Sequence, residues 1–150
     1  MKSKQTARSN IDGFTLIEVM IVVAITAILL VVAFPSYTDY IRKGNRSIAR
    51  GHLLDIANRQ QEFFLNNKTY AANLTGLGFA ANTIGVNKKG GIVAAGAADA
   101  IYDFSVTAAG ANSYSLSAVP RNSQTADSAC GTFTLSSSGA KSAAGTNCWN

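Results

Sequence analysis

Gly13-Phe14-Thr15-Leu16-Ile17-Glu18-Val19-Met20-Ile21-Val22-Val23-Ala24-Ile25-Thr26-Ala27-Ile28-Leu29-Leu30-Val31-Val32-Ala33-Phe34 decides how this 150-residue chain is to be read. From Phe14 to Phe34 only Thr15, Glu18 and Thr26 are polar. At 1.5 Å per residue, a helix of that length reaches ~30 Å, the thickness of a bilayer core. The preceding stretch, Met1 to Gly13, is polar and carries Lys2, Lys4 and Arg8 against Asp12. Such a basic flank predicts a cytoplasmic N-terminus. A secretory signal peptide is the rival reading, but its apolar core is shorter and ends in small residues at a cleavage site. Here the apolar run continues into Pro35-Ser36-Tyr37 and a further helical pattern instead.

Glu18 is out of place in the span. A carboxylate costs ~2.5–3.5 kcal/mol at the centre of a membrane helix and somewhat less near an end. Either it reaches back to the interface or it has a positive partner. Cleavage after Gly13 would put a free ammonium on Phe14, four residues away. That amine would neutralise Glu18 in the same chain or in a neighbour packed in a staggered array.

The remaining composition excludes more than it assigns. Hydrophobic residues make up 47% and charged residues 14%, which argues against disorder. One histidine and two cysteines leave little for a metal site, and neither metal nor cofactor is expected. His52 lacks ligand-spaced partners other than Asp55 and reads as a surface or half-buried side chain, with a catalytic base the remote alternative. Gly90-Gly91 reads as a turn, since no strand precedes it and no helix follows. Asp99 and Asp103 are two scattered carboxylates, too few for calcium. An enzyme is therefore not expected.

Gly13-Phe14-Thr15-Leu16-Ile17-Glu18, continued by Val19 to Ile25, resembles the prepilin signature of type IV pilins, with Pro35-Ser36-Tyr37 and Tyr40 at the usual offsets. The resemblance implies cleavage between Gly13 and Phe14 by an inner-membrane prepilin peptidase that also N-methylates Phe14. It implies that Glu18 recruits subunits to a growing filament. It further implies other pilin subunits and an inner-membrane pilus assembly platform as partners. Asp12 before the cleavage site, a 13-residue leader and Ala27 where many members carry a helix-loosening Gly are departures. Pro35 still removes a backbone donor and marks an expected kink. The expected divisions are a leader over 1–13, a membrane and filament-core helix over 14–35, and a periplasmic or extracellular head over 36–150. The subunit is expected first in the inner membrane, as a single pass, and then in an extracellular filament.

From Ser36 to Asn66 apolar residues recur at helical spacing, namely Tyr37, Ile41, Ile48, Leu53, Ile56 or Ala57, and Phe63 or Phe64. Arg42, Lys43, Arg46, Asp55 and Arg59 lie on other faces. The pattern predicts one helix from Phe14 to Asn66, with Gly44 and Gly51 as weak points. Lys68 to Gly96 reads as a loop with little regular structure. Alternation then predicts three strands, around Tyr102–Thr107, Ser113–Ala118 and Thr132–Ser136, with a turn at Gly110. The fold class is α+β, a long N-terminal helix packed on a small antiparallel sheet, and no internal repeat is evident.

Cys130 and Cys148 bracket the third strand. In a domain delivered to an oxidising compartment they are expected to pair, the alternative being two unrelated buried thiols. The resemblance makes this the C-terminal disulfide-bounded loop of a pilin head. The stretch from Cys130 to Trp149 is similar to small minor pilins related to DNA-uptake receptors more than to major pilins. Once the leader is removed, ten basic side chains remain against seven acidic ones. Lys68, Lys88, Lys89, Arg121 and Lys141 are the candidate DNA contacts if they converge, and solvated surface if they do not. The sequons Asn67-Lys68-Thr69 and Asn73-Leu74-Thr75 carry little weight here. The expected function is a minor subunit of a type IV pilus serving motility, adhesion or DNA uptake. A DNA receptor pilin for transformation and a type II secretion pseudopilin are the alternatives.

Overall fold

The computed structural model describes residues 13–150; the leader expected over 1–13 otherwise lies outside them. Helix α1 spans Leu16–Asn67 and continues through Pro35. Two compact units divide between Asp39 and Tyr40.

The N-terminal unit is helical, and its start has a local cause. The backbone N–H of Glu18 donates to Thr15 Oγ1 at 3.3 Å, so Thr15 and Glu18 occupy the first and last positions of a capping-box sequence. The acid in the first turn also complements the positive end of the helix dipole. Every residue from Phe14 to Phe34 is exposed. The helix is long and apolar enough to cross a membrane.

The second unit holds the rest of α1 and a six-stranded antiparallel sheet. The strands are β1 (Thr83–Asn87), β2 (Ile92–Ala94), β3 (Ala100–Ala109), β4 (Tyr114–Pro120), β5 (Phe133–Ser136) and β6 (Lys141–Ser142). Their order across the sheet is β2-β1-β3-β4-β5-β6. The expected strands at 102–107, 113–118 and 132–136 correspond to β3, β4 and β5. Tyr102, Phe104, Leu116, Ala118 and Phe133 lie in the core with no exposed surface.

The loop expected over Lys68–Gly96 is a correction, because it contains β1, β2 and a 3-10 turn at Thr75–Leu77. Gly85 breaks the alternation of β1, yet a Cβ there would meet the Ala94 carbonyl oxygen at 2.6 Å. The close approach of β2 therefore requires glycine. β2, with three residues, is too short to show a period.

The buried stripe of α1 is also corrected. Tyr37 is 64% exposed, and Ile41 and Ile48 are only half-buried. Leu53 and Ile56 are buried as expected, and Ile48, Ala57 and Phe63 pack against the core. The fully covered face runs Asn45, Ala49, Leu53, Ile56 and Gln60, at the i+4, i+4, i+3, i+4 steps of one helix face. Its two ends are amides. Gln60 Nε2 donates to the Ala71 carbonyl and its Oε1 accepts from the Ala71 N–H, both at 2.9 Å. Asn45 Nδ2 donates to Gln124 Oε1 at 2.8 Å. Gln124 Nε2 in turn donates to Tyr102 Oη at 3.1 Å and Asp127 Oδ2 at 3.0 Å.

Asp127, with a side chain 2% exposed, receives both the Nε and Nη2 of Arg46, at 2.7 and 2.6 Å. This network ties α1 to the β4–β5 connection. The Cys130–Cys148 disulfide then closes the segment carrying β5 and β6, which restricts the unfolded chain by about 3 kcal/mol for a loop of this size.

Two outcomes follow from the network. Arg46→Ala leaves the Asp127 carboxylate buried and unpaired, which lowers unfolding free energy by about 3 kcal/mol in denaturant titrations. Burial is the main reason that the Tyr102 phenol is pushed from 10.0 up to about 12, with the Gln124 hydrogen bond opposing it. The folded state then holds that proton more tightly than the unfolded chain. Its stability is therefore fully present below pH 10 and declines from pH 10 toward pH 12. A phenolate absorbance titration read beside thermal melts would show both.

Candidate functional site

Two regions carry the residues singled out in the sequence. In the N-terminal unit, Phe14 and Glu18 line a shallow groove of about 270 Å³ with Val19, Val22 and Val23. Phe14 is 84% exposed, and among the described residues no ion pair engages Glu18. An acid presented on an apolar surface is suited to charge pairing with a cation once water is excluded.

In the head, the five basic candidates do not converge. Lys88 and Lys89 form the turn between β1 and β2, while Lys141 begins β6 on the opposite edge. Five strand spacings separate those two edges, or ~24 Å. Lys68 follows α1 beside the β3–β4 turn, where Tyr70 N–H donates to the Gly110 carbonyl at 3.2 Å, so it lies at the other end of the sheet from Lys88. Arg121 is engaged, its Nε donating to Asp103 Oδ2 at 2.7 Å. Lys141 lies over the Trp149 ring, 5.5 Å from its centroid. Only Lys88, Lys89 and Arg121 share one end of the sheet.

At that end is a groove of about 440 Å³. Its walls are the β1–β2 turn with Asn87, Lys88 and Lys89, the β2–β3 connection with Asp99, and Asn122 with Ser123 after β4. Small hydrogen bonds hold these loops in place. Asn87 Oδ1 accepts from the N–H groups of Lys89 and Gly91 at 3.1 and 3.0 Å, and His52 Nε2 lies 3.1 Å from the Gly90 carbonyl. His52 thus braces the turn from α1, half-buried and 5.6 Å from the Phe104 ring. Asn122, at φ 46°, donates to the carbonyls of Ala97 and Ala100 at 2.9 and 2.8 Å. Asn is among the few residues that tolerate this left-handed conformation.

Asp103 is 4% exposed and accepts from Gly96 N–H through both oxygens as well as from Arg121, so it does not join Asp99 in a cation site. Among the described residues no group of three His, Cys, Asp or Glu is placed to hold a metal. The sequence reading had missed Asn87 and Asn122. Their signal was the turn chemistry of asparagine, whose side chain bonds nearby backbone and which tolerates a left-handed conformation.

An apolar N-terminal helix feeding an antiparallel sheet with a disulfide-closed C-terminal segment defines a pilin-type filament subunit. Residues 35–134 match the family model described as "Type IV minor pilin ComP, DNA uptake sequence receptor", and residues 8–34 match the "Prokaryotic N-terminal methylation motif". The chain is 32% identical over 107 residues to the "Type IV wide pilus major component PilA4" of Thermus thermophilus, covering 71% of this chain and 72% of that protein. It is 40% identical over 75 residues to a "Fimbrial protein" of Neisseria meningitidis, spanning 47% of this chain but only 42% of that protein. A solved type IV pilin from Shewanella oneidensis is 25% identical with a TM-score of 0.46, covering 73% of this chain and 98% of that one. The chain belongs to the type IV pilins, within the family described as minor pilins of the ComP kind.

The bracing of the β1–β2 turn has a measurable consequence. Asn87→Ala removes three side-chain hydrogen bonds, those from Lys89 N–H and Gly91 N–H and the one to Asp99. Each contributes ~1 kcal/mol, so amide exchange at Lys89 and Gly91 rises by about tenfold while exchange in β4 keeps its wild-type rate.

Proposed function

We propose that this pilus subunit is a minor pilin whose head captures DNA. The match of residues 35–134 to a family described as a DNA uptake sequence receptor supports this reading most directly. The chain is made as a precursor held in the inner membrane by Phe14–Phe34 with its N-terminus in the cytoplasm. A prepilin peptidase cleaves between Gly13 and Phe14 and methylates the new amine, in keeping with the methylation motif over residues 8–34.

The assembly platform then lifts the subunit into the filament. Phe14 and Glu18 lie on one groove. Pairing Glu18 with a neighbour's Phe14 amine removes the carboxylate's cost in the apolar core and sets the stagger between subunits. Pro35, lacking a backbone donor, is the weak point at which the helix yields as it leaves the span.

Apolar packing supplies cohesion in the filament. The exposed face of Phe14–Phe34 exchanges lipid for other helices, and the gain comes from van der Waals fit. On the head, Lys88 and Lys89 at the β1–β2 turn are the phosphate contacts, and Arg121 adds charge at the same end. Lys68 and Lys141 lie elsewhere and serve solubility.

Quantitative mass spectrometry of sheared surface filaments tests the assignment. The expected result is a chain beginning at N-methylated Phe14, present as a trace beside an abundant pilin. Dominance in the filament would overturn the minor role, and absence from it would favour a type II secretion pseudopilin. Glu18→Ala is expected to be cleaved normally yet to enter filaments at least about tenfold less. Wild-type incorporation of that variant would sink the docking role.

A further inference from the structure

Asp99 is an acid inside the groove that holds the two turn lysines. Among the described residues, no ion pair joins it to Lys88 or Lys89. Its Oδ2 accepts from Asn87 Nδ2 at 3.3 Å, and its Oδ1 accepts from no side chain or backbone group. The same Asn87 holds the Lys89 and Gly91 N–H groups, so one amide fixes the carboxylate relative to the lysine-bearing turn. From the other side, Asn122 clamps the carbonyls of Ala97 and Ala100, on either side of Asp99. A left-handed backbone at Asn122 maintains that clamp, a strained conformation of the kind that persists where the surroundings impose it. The acid is thus positioned on a rigid rim with one oxygen open to solvent.

A carboxylate in a polyanion-binding groove is repelled by phosphate and has no proton to donate to it. Used only for backbone binding, the site would gain by replacing it. In the major groove, where side chains read base edges most fully, the groups that can repay an acceptor-only side chain are the exocyclic amines cytosine N4 and adenine N6; the guanine N2 amine faces the narrower minor groove. Adenine sets its N7 acceptor beside N6, against the second carboxylate oxygen. Cytosine carries no such acceptor next to N4. We infer that Asp99 is the specificity-determining residue of this groove, accepting a hydrogen bond from a cytosine amino group of duplex DNA while Lys88 and Lys89 hold the flanking phosphates. The inference rests on the reading of the head as a DNA receptor.

Selection from a pool of randomised duplex DNA by the full-length chain in detergent micelles provides the test, followed by affinities for the enriched duplex and a scrambled one. The wild type is expected to prefer an enriched, cytosine-containing sequence by about tenfold or more. Asp99→Ala should raise affinity for the scrambled duplex about two- to tenfold by removing repulsion, without tightening the enriched one, so that the preference largely vanishes. Asp99→Asn should change one selected cytosine to adenine, because an amide both donates to N7 and accepts from N6. Lys88→Ala should weaken both duplexes alike and lower the salt slope by about one.

If Asp99→Ala shifts both affinities by the same factor, or neither, the carboxylate reads no base and the inference is overturned while the receptor reading stands. If the wild type shows no salt-dependent DNA binding, the receptor reading fails and the inference with it. Asp99 is exposed and loses only the hydrogen bond from Asn87, so its variants are expected to stay folded and melt within a few degrees of the wild type.

Discussion

Two buried amides, Asn45 and Gln60, set the register between α1 and the rest of the head. They lie 15 residues apart on one helix face, or ~22 Å, with Ala49, Leu53 and Ile56 between them. The apolar residues supply adhesion but tolerate sliding, since burial is nearly indifferent to which methyl group meets which. An amide without surface has no such freedom, because each unmatched donor or acceptor costs about 1–3 kcal/mol. Gln60 finds both its partners on Ala71, where the chain turns back from α1. Asn45 finds its partner on Gln124, across the β4–β5 connection. A slip of α1 by one turn breaks both ends at once.

The same helix meets different surroundings along its length. Its first part shows apolar side chains on every face and no chain atoms covering them, which is stable only in lipid or among other helices. Its later part has one covered face and carries Arg46 and Arg59 toward polar partners, Asp127 and Asp55. This division is what a subunit needs if it is to wait in a membrane and then pack into a filament. Glu18 bridges the two roles. It closes the first turn of the helix in the single chain, and its carboxylate remains available for a partner's charge.

The groove at the β1–β2 end is assembled from three connections together with the strand ends at Asn87, Ala100 and Ile101. Asn87, His52 and Asn122 each tie a loop carbonyl or amide to a neighbouring element. A receptor surface on loops is useful only if the loops are held in shape, and these side chains hold them. Spreading the remaining cations, Lys68 at one end of the sheet and Lys141 on the far edge, keeps the head from becoming a uniformly basic surface. Lys88 and Lys89 thus stand in a small groove whose charge is tempered by Asp99.

The prepilin-like stretch, the long helix, β3 to β5 and the cysteine pair were legible in the amino acids because each is a local matter. A 21-residue run with three polar residues, or a period of two in Tyr102–Val106, needs no knowledge of the partner. β1 and β2 were not legible, since Gly85 breaks the alternation and β2 has three residues; β1 is a strand because β3 offers it hydrogen bonds, and β2 because β1 does. Of the helix stripe, Leu53 and Ile56 were legible; Tyr37 did not belong in it, and Asn45 and Gln60 were missed because they look like surface residues until Gln124 and Ala71 are brought to them. The pattern of charges behaved likewise. Composition counted five head cations, while the order of strands decided that Lys88 and Lys89 stand together with Asp99 and that Lys141 stands apart. Local periodicity and composition thus determined the helix, the sheet class and the membrane-length segment. Contacts between residues some 80 positions apart, which no local pattern encodes, decided the register of the helix, and side-chain bonds from Asn87, His52 and Asn122 to neighbouring loops decided the shape of the groove.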